Sequence, residues 1–194
     1  LVADAGTQST PTVSPDGKWL AYQSDETGVS QVFVRPFPDT KVTKRQVSVM
    51  GGFYARWSRD GRELFYVERP GTAIRRFRPD VGPDAGPIVE APKGHRIRDA
   101  HPSLDGRWLA YLSTSDATRE LHVVDLTNKT ESVVYRGDSS SLISCRGWTA
   151  DSQSVVVAYQ RNGRSVPAAV DLLTVTPSGN ASKIRTVEGG FYPT

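Results

Sequence analysis

Apolar residues in this chain fall in short runs broken by polar turns, never in one long stripe. Runs such as Trp19–Tyr22 and Trp108–Leu112 are apolar at successive positions. In an extended strand that places apolar side chains on both faces, which predicts a strand buried between two neighbouring sheets. Each of these runs follows an Asp-Gly step, where Asp bonds nearby backbone and Gly accepts positive φ, so a hairpin is predicted at each place. No segment keeps apolar residues at three-and-four spacing over three helical turns, and helix is predicted to be almost absent.

The pattern is periodic. SPDGKWLAY at Ser14–Tyr22 returns as SRDGRELFY at Ser58–Tyr66, as SLDGRWLAY at Ser103–Tyr111, and in altered form as TADSQSVVV at Thr149–Val157. Asp16, Asp60, Asp105 and Asp151 therefore stand 44, 45 and 46 residues apart. A third run follows in each period (Gln31–Val34, Ala73–Phe77, Glu120–Leu126, Ala168–Val175), and a more polar fourth closes it (Arg45–Val49, Pro87–Glu90, Glu131–Tyr135, Lys183–Val187). Four antiparallel strands per period make a twisted sheet with two apolar faces, which one sheet cannot bury alone. The expected fold is therefore all-β, a β-propeller whose blades cover about 7–50, 51–92, 93–136 and 137–188. Gly189-Gly190-Phe191-Tyr192 repeats Gly51-Gly52-Phe53-Tyr54, so 189–194 read as the start of a further blade. The four repeats are expected to form part of a larger ring, or an arc completed by another chain. In the fourth copy Ser152 replaces the turn glycine, while Trp148 keeps the place of Trp57.

The repeat SPDG-(K/R)-W-L-A-Y resembles the TolB-type or PD40 (WD40-like) propeller repeat, and QVFVRPFPD at Gln31–Asp39 with RQVSVMGGFYARWSRDGRELFY at Arg45–Tyr66 is especially similar to it. The resemblance spans essentially the whole chain. It implies a module used in periplasmic TolB, in extracytoplasmic regions of bacterial receptor-like kinases, and ahead of the hydrolase domain of prolyl-oligopeptidase-like peptidases. In each setting the module binds, gates or scaffolds, and the location implied is periplasmic or extracytoplasmic.

Length, composition and charge narrow the chemistry. With 194 residues the chain can bury a substantial core without disulfides or metal, and its one cysteine, Cys145, reads as a small buried hydrophobe. No apolar run reaches the roughly 20 residues of a membrane-spanning helix. The net charge of +3 is uneven, with thirteen Lys and Arg against eight Asp and Glu between Lys44 and Arg107. The cluster Arg75, Arg76 and Arg78 reads as a solvated sheet face, so nucleic acid is not the expected partner.

The sequence contains no nucleophile elbow, zinc-protease helix, phosphate-binding glycine loop or kinase catalytic loop, and Gly163-Arg164-Ser165 lacks the second glycine of an elbow. The expectation is a non-enzymatic module with no cofactor and no metal. The four repeated aspartates read as turn formers, and Asn128-Lys129-Thr130 and Asn180-Ala181-Ser182 as chance sequons. The loops from fourth strand to first surround a propeller's channel mouth. They contain Gly51-Gly52-Phe53-Tyr54, Arg98-Asp99, Ser140–Cys145 and Gly189-Gly190-Phe191-Tyr192, and equal phase puts Thr12, Arg56, His101 and Gly147 on the channel side. The candidate binding residues are Tyr54, Arg56, Arg98, Asp99, His101 and Arg146, and the expected partner is a protein or peptide. A small ligand and self-association that completes the ring are the other partners considered.

Overall fold

The computed structural model describes residues 6–160 and 170–187, and all of its regular structure is extended; no helix occurs among the described residues. The strands of the first period are β1 (Gln8–Val13), β2 (Trp19–Ser24), β3 (Gln31–Pro36) and β4 (Arg45–Gln46). The second has β5 (Gly52–Trp57), β6 (Leu64–Glu68), β7 (Ala73–Arg78), β8 (Gly82–Pro83) and β9 (Val89–Glu90). The third has β10 (Arg96–Pro102), β11 (Trp108–Thr114), β12 (Thr118–Asp125) and β13 (Thr130–Asp138), and the fourth has β14 (Leu142–Trp148), β15 (Val155–Gln160), β16 (Val170–Val175) and β17 (Ala181–Val187). Each period is one sheet in chain order, β1-β2-β3-β4, β5-β6-β7-β8 with β9 also on β7, β10-β11-β12-β13, and β14-β15-β16-β17. Every strand pairing with a register is antiparallel. These are the four blades that the repeat predicts.

The expected outer strand of the second blade, Pro87–Glu90, is instead two short pieces. Gly82 and Pro83 pair with Arg78 and Phe77, and Val89 and Glu90 pair with Ile74 and Ala73. Pro83 and Pro87 lack the N–H a continuous ladder needs, which breaks the edge. The start of the third run of the fourth blade, Ala168, and all of 189–194 lie outside the described residues, as does Gly163-Arg164-Ser165.

The chain divides into two compact units, 1–102 and 103–194. In the first, sheets one and two pack face to face through Ala21, Val32, Val34 and Val47 on one side and Ala55, Trp57, Leu64, Tyr66 and Phe77 on the other. The other face of the first sheet carries Leu20, Tyr22 and Phe33, which Arg35 and Lys44 cover from above the two rings. In the second unit, Ala110, Leu112, Leu121, Val123 and Val134 pack against Ile143, Cys145, Val155, Val157 and Val175. Cys145 is buried, as a small core residue should be.

The four hairpins between first and second strands share one hydrogen-bond plan. The Ser14 hydroxyl donates to Asp16 Oδ1 at 2.6 Å and accepts from the Trp19 N–H at 2.9 Å, and the same pair of bonds recurs at Ser58, Ser103 and Thr149. The aspartates are turn formers, as expected. Ser152 takes the glycine's left-handed conformation (φ 59°), and its hydroxyl accepts from the Asp105 N–H at 3.1 Å, so the fourth hairpin closes without glycine.

Acid should loosen these turns first. The hydroxyls of Ser14, Ser58 and Thr149 hold the carboxyls of Asp16, Asp60 and Asp151 below the usual aspartate range, with backbone N–H groups adding to the effect. A carboxyl lowered on folding stabilises the fold above its unfolded pKa of about 3.9 and loses that contribution as pH falls through the folded value. Melting temperature is therefore expected to drop below about pH 4. Asp16→Asn should show a smaller drop across that window than wild type in a series of thermal melts, and an identical pH profile would remove the turns from the explanation.

Candidate functional site

In the first unit the candidate residues sit within strands, on β5 and β10, rather than in free loops. Gly52, Phe53 and Tyr54 belong to β5, and Arg98 and Asp99 to β10; in the second unit, Leu142 to Cys145 belong to β14. On β5 and on β14 a bulge keeps the strand paired while adding a residue. On β5, Phe53 faces Val67 and Arg56 faces Phe65, so Tyr54 and Ala55 together oppose Tyr66. Tyr54 takes φ 56°, and Thr10 takes φ 48° at the matching bulge of β1. On β14 the extra residue is Arg146, between Cys145 and Gly147.

The β5 bulge decides which side chains face outward. Tyr54 is 41% exposed, with its ring edge-on to Phe53 at 4.9 Å, and Arg56 is exposed, while Ala55 and Trp57 turn into the core. Asp99 on β10 gathers the rest. Its Oδ2 accepts from His101 Nε2 at 2.8 Å and lies 4.0 Å from Arg56 Nη2, and its Oδ1 accepts from the Ala100 N–H at 2.9 Å. Arg56, Asp99 and His101 are thus brought together across two strands, with Tyr54 on the same strand as Arg56. Arg98 lies exposed on β10 between the buried Ile97 and Asp99. His101 is itself buried, so its ring is part of the wall and holds the carboxylate in place. Arg146 belongs to the second unit, where it is exposed on its bulge.

The arginine run has a different role. Arg75 pairs with Glu68 at 2.7 Å, Arg76 with Glu63 at 2.9 Å and Asp84 at 2.8 Å, and Arg78 with Asp84. The carboxylates between them neutralise the run, which explains why it can coat a sheet face.

A second titratable cluster, in the second unit, has no counterpart in the sequence-based expectations. His122 is fully buried and stacks on Tyr111, with ring centroids 4.5 Å apart. Its Nδ1 lies 2.7 Å from Glu131 Oε1, and its Nε2 lies 3.1 Å from Glu120 Oε2 and 2.9 Å from the Ser113 hydroxyl. Tyr111 donates to Glu131 at 2.5 Å and Arg136 Nε to Glu120 at 2.7 Å. The His122 hydrogen bond holds the Glu131 carboxyl below its ordinary range, and burial pushes the Tyr111 hydroxyl far up. Every polar group here is matched inside the sheet, which marks the cluster as structural.

Residues 3–148 match the family described as the prolyl oligopeptidase N-terminal β-propeller domain. TolB from Acinetobacter baumannii is similar in structure, with a TM-score of 0.68 at 18% identity over 95% of this chain and 43% of that one. The β-propeller domain of the trilobed protease from Pyrococcus furiosus gives 0.65 at 15% identity, over 93% of this chain and 57% of that one. Oligogalacturonate lyase from Vibrio parahaemolyticus gives 0.55 at 12% identity, over 90% of this chain and 64% of that one. The chain thus spans less than half the length of the Acinetobacter TolB. No curated protein sequence matches it.

Proposed function

This chain belongs to the prolyl oligopeptidase N-terminal β-propeller family, and from that premise we propose that it is a binding module, not a catalyst, recognising a protein or peptide through the surface that β5 and β10 form. The observation that carries the reading is the cluster on β5 and β10. An exposed aromatic, Tyr54, stands beside a guanidinium, Arg56, and Asp99 is pre-positioned by His101 and a backbone N–H, so the wall is rigid and its polar groups are already oriented. Ser103, the serine nearest this pair in sequence, spends its hydroxyl on its turn, donating to Asp105 and accepting from the Trp108 N–H. The setting we favour is extracytoplasmic, with the blades forming part of a larger ring. A propeller that filters peptides for a hydrolase domain is the second reading, and the family match favours it over a receptor-kinase sensor.

The test is selection of decapeptides from a random displayed library on the 194-residue chain, followed by affinity measurements on the winners. Tyr54→Ala and Arg56→Ala are expected to weaken binding about tenfold, in line with loss of an aromatic or arginine anchor, while melting temperature stays near wild type. His101→Ala should weaken binding and also lower the melting temperature, because that ring is buried. Mass spectrometry should recover the bound peptides uncut. No enriched peptide, or equal affinity in all three variants, would place recognition elsewhere.

A further inference from the structure

Where the β1–β2 and β5–β6 turns of the first unit meet, the two hairpins border a groove that the residues around Asp99 do not line. Gly61, at φ 72°, is seated on Asp16, since a Cβ there would stand 2.8 Å from Asp16 Oδ1. The β7–β8 turn supplies a third wall. Arg45 of the first blade donates to the Pro79 carbonyl of that turn at 2.6 Å, which ties the wall to β4. The groove holds about 640 Å³, inside the roughly 300–1,000 Å³ of small-ligand clefts. Both hairpins are fixed by the hydroxyl-to-aspartate bonds of Ser14 and Ser58, so these walls are preorganised.

The lining combines one indole with charges that largely cancel. Trp19 is half-buried: it packs against the core shared by the first two sheets and also lines the groove. At the matching position of the third blade the Arg107 guanidinium lies over the Trp108 ring, 4.4 Å from its centre, whereas no cation stands over Trp19 among the described residues. Lys18, the residue before Trp19, instead has its ammonium 3.6 Å from Asp16 Oδ2, and Arg62 Nε lies 3.9 Å from Asp60 Oδ2. Both pairs are loose and both cations are exposed. Asp80, also exposed, adds a third carboxylate. Three carboxylates against two cations leave no positive field for an acidic ligand. What the walls offer is hydrogen-bond acceptors and donors a few ångströms apart, beside an aromatic ring. A neutral sugar is the complement, because its hydroxyls both donate and accept while its C–H groups are drawn to the negative face of an indole. We propose that this groove binds a neutral sugar, one ring stacked on Trp19, with hydroxyls donating to Asp60 and Asp80 and accepting from Lys18 and Arg62.

The uncharged sugars glucose, galactose, N-acetylglucosamine and cellobiose, the anion glucuronate, and a proline-rich decapeptide are each titrated into the 194-residue chain by isothermal calorimetry. At least one uncharged sugar is expected to bind with a millimolar Kd or tighter, and glucuronate more weakly than the best of them. Raising the salt to about 1 M should leave the sugar affinity unchanged, since no net charge is matched. Asp80→Ala and Arg62→Ala should each weaken the sugar about tenfold, the loss of one hydrogen bond to a charged group, with melting temperature near wild type. Trp19→Ala should abolish binding, and the two exposed variants decide the matter if loss of its core packing unfolds that one. Tyr54→Ala, outside the lining, should bind sugar as wild type does. Binding of none of the uncharged sugars, wild-type affinity in both Asp80→Ala and Arg62→Ala, or tighter binding of glucuronate overturns the proposal. Loss of sugar binding in Tyr54→Ala would move the sugar to the other surface, and tighter binding of the decapeptide would assign the groove to peptide; either result overturns it as well.

Discussion

Trp57→Ala is expected to lower the unfolding free energy by about 3–5 kcal/mol, the range for removing a large buried aromatic. The side chain is only 9% exposed and sits between the first two sheets, against residues of both. Its indole N–H also donates to the Thr12 carbonyl at 3.1 Å, bonding the start of one blade to the next. Truncation therefore opens a cavity and leaves a carbonyl without its donor. Trp57→Phe separates the two effects: it keeps much of the apolar area and should cost about 1–2 kcal/mol, largely the lost hydrogen bond. Urea titration followed by circular dichroism reads both. A loss below about 1 kcal/mol for the alanine variant would mean that the ring contributes little to holding these blades together.

Glu120→Ala should cost about 3 kcal/mol through a different mechanism, because it strips a buried ionic cluster of one partner and leaves the others in place. Glu120 and His122 are both buried, and the Glu120 carboxylate binds His122 on one oxygen and Arg136 on the other. Removing it leaves His122 Nε2 with only the Ser113 hydroxyl. The double variant Glu120→Leu with His122→Leu should lose less than the sum of the single changes, since the second substitution removes the group that the first one stranded. Additive losses in chemical denaturation would show that the two side chains act independently.

Trp57 is legible as a fixed position of the repeat, matched by Trp148 in the fourth copy, because period is a local property that survives any arrangement of the sheets; that its ring lies between two sheets comes from the structure. The His122 cluster is not legible in that way, because Tyr111, Glu120, His122 and Glu131 become neighbours only when β11, β12 and β13 pair in their particular register. Nothing in the spacing of Glu120, His122 and Glu131 distinguishes them from a solvated strand.

The candidate site divides the same way. Exposure of Tyr54 depends on the bulge that inserts an extra residue into β5, and alternation alone would not have placed Tyr54 and Arg56 both outward with Ala55 buried between them.

By itself the sequence determined the all-β class, the blade as a unit, the turn role of the aspartates and the buried character of the second strands, because each follows from residue type, spacing and turn chemistry over a few neighbouring positions. Tertiary structure alone decided the bulges, the split outer edge of the second blade, the neutralised arginine run and the groups that meet around Asp99 and His122. Those depend on which strand pairs with which, and in what register, and a shift of one residue turns every side chain to the opposite face.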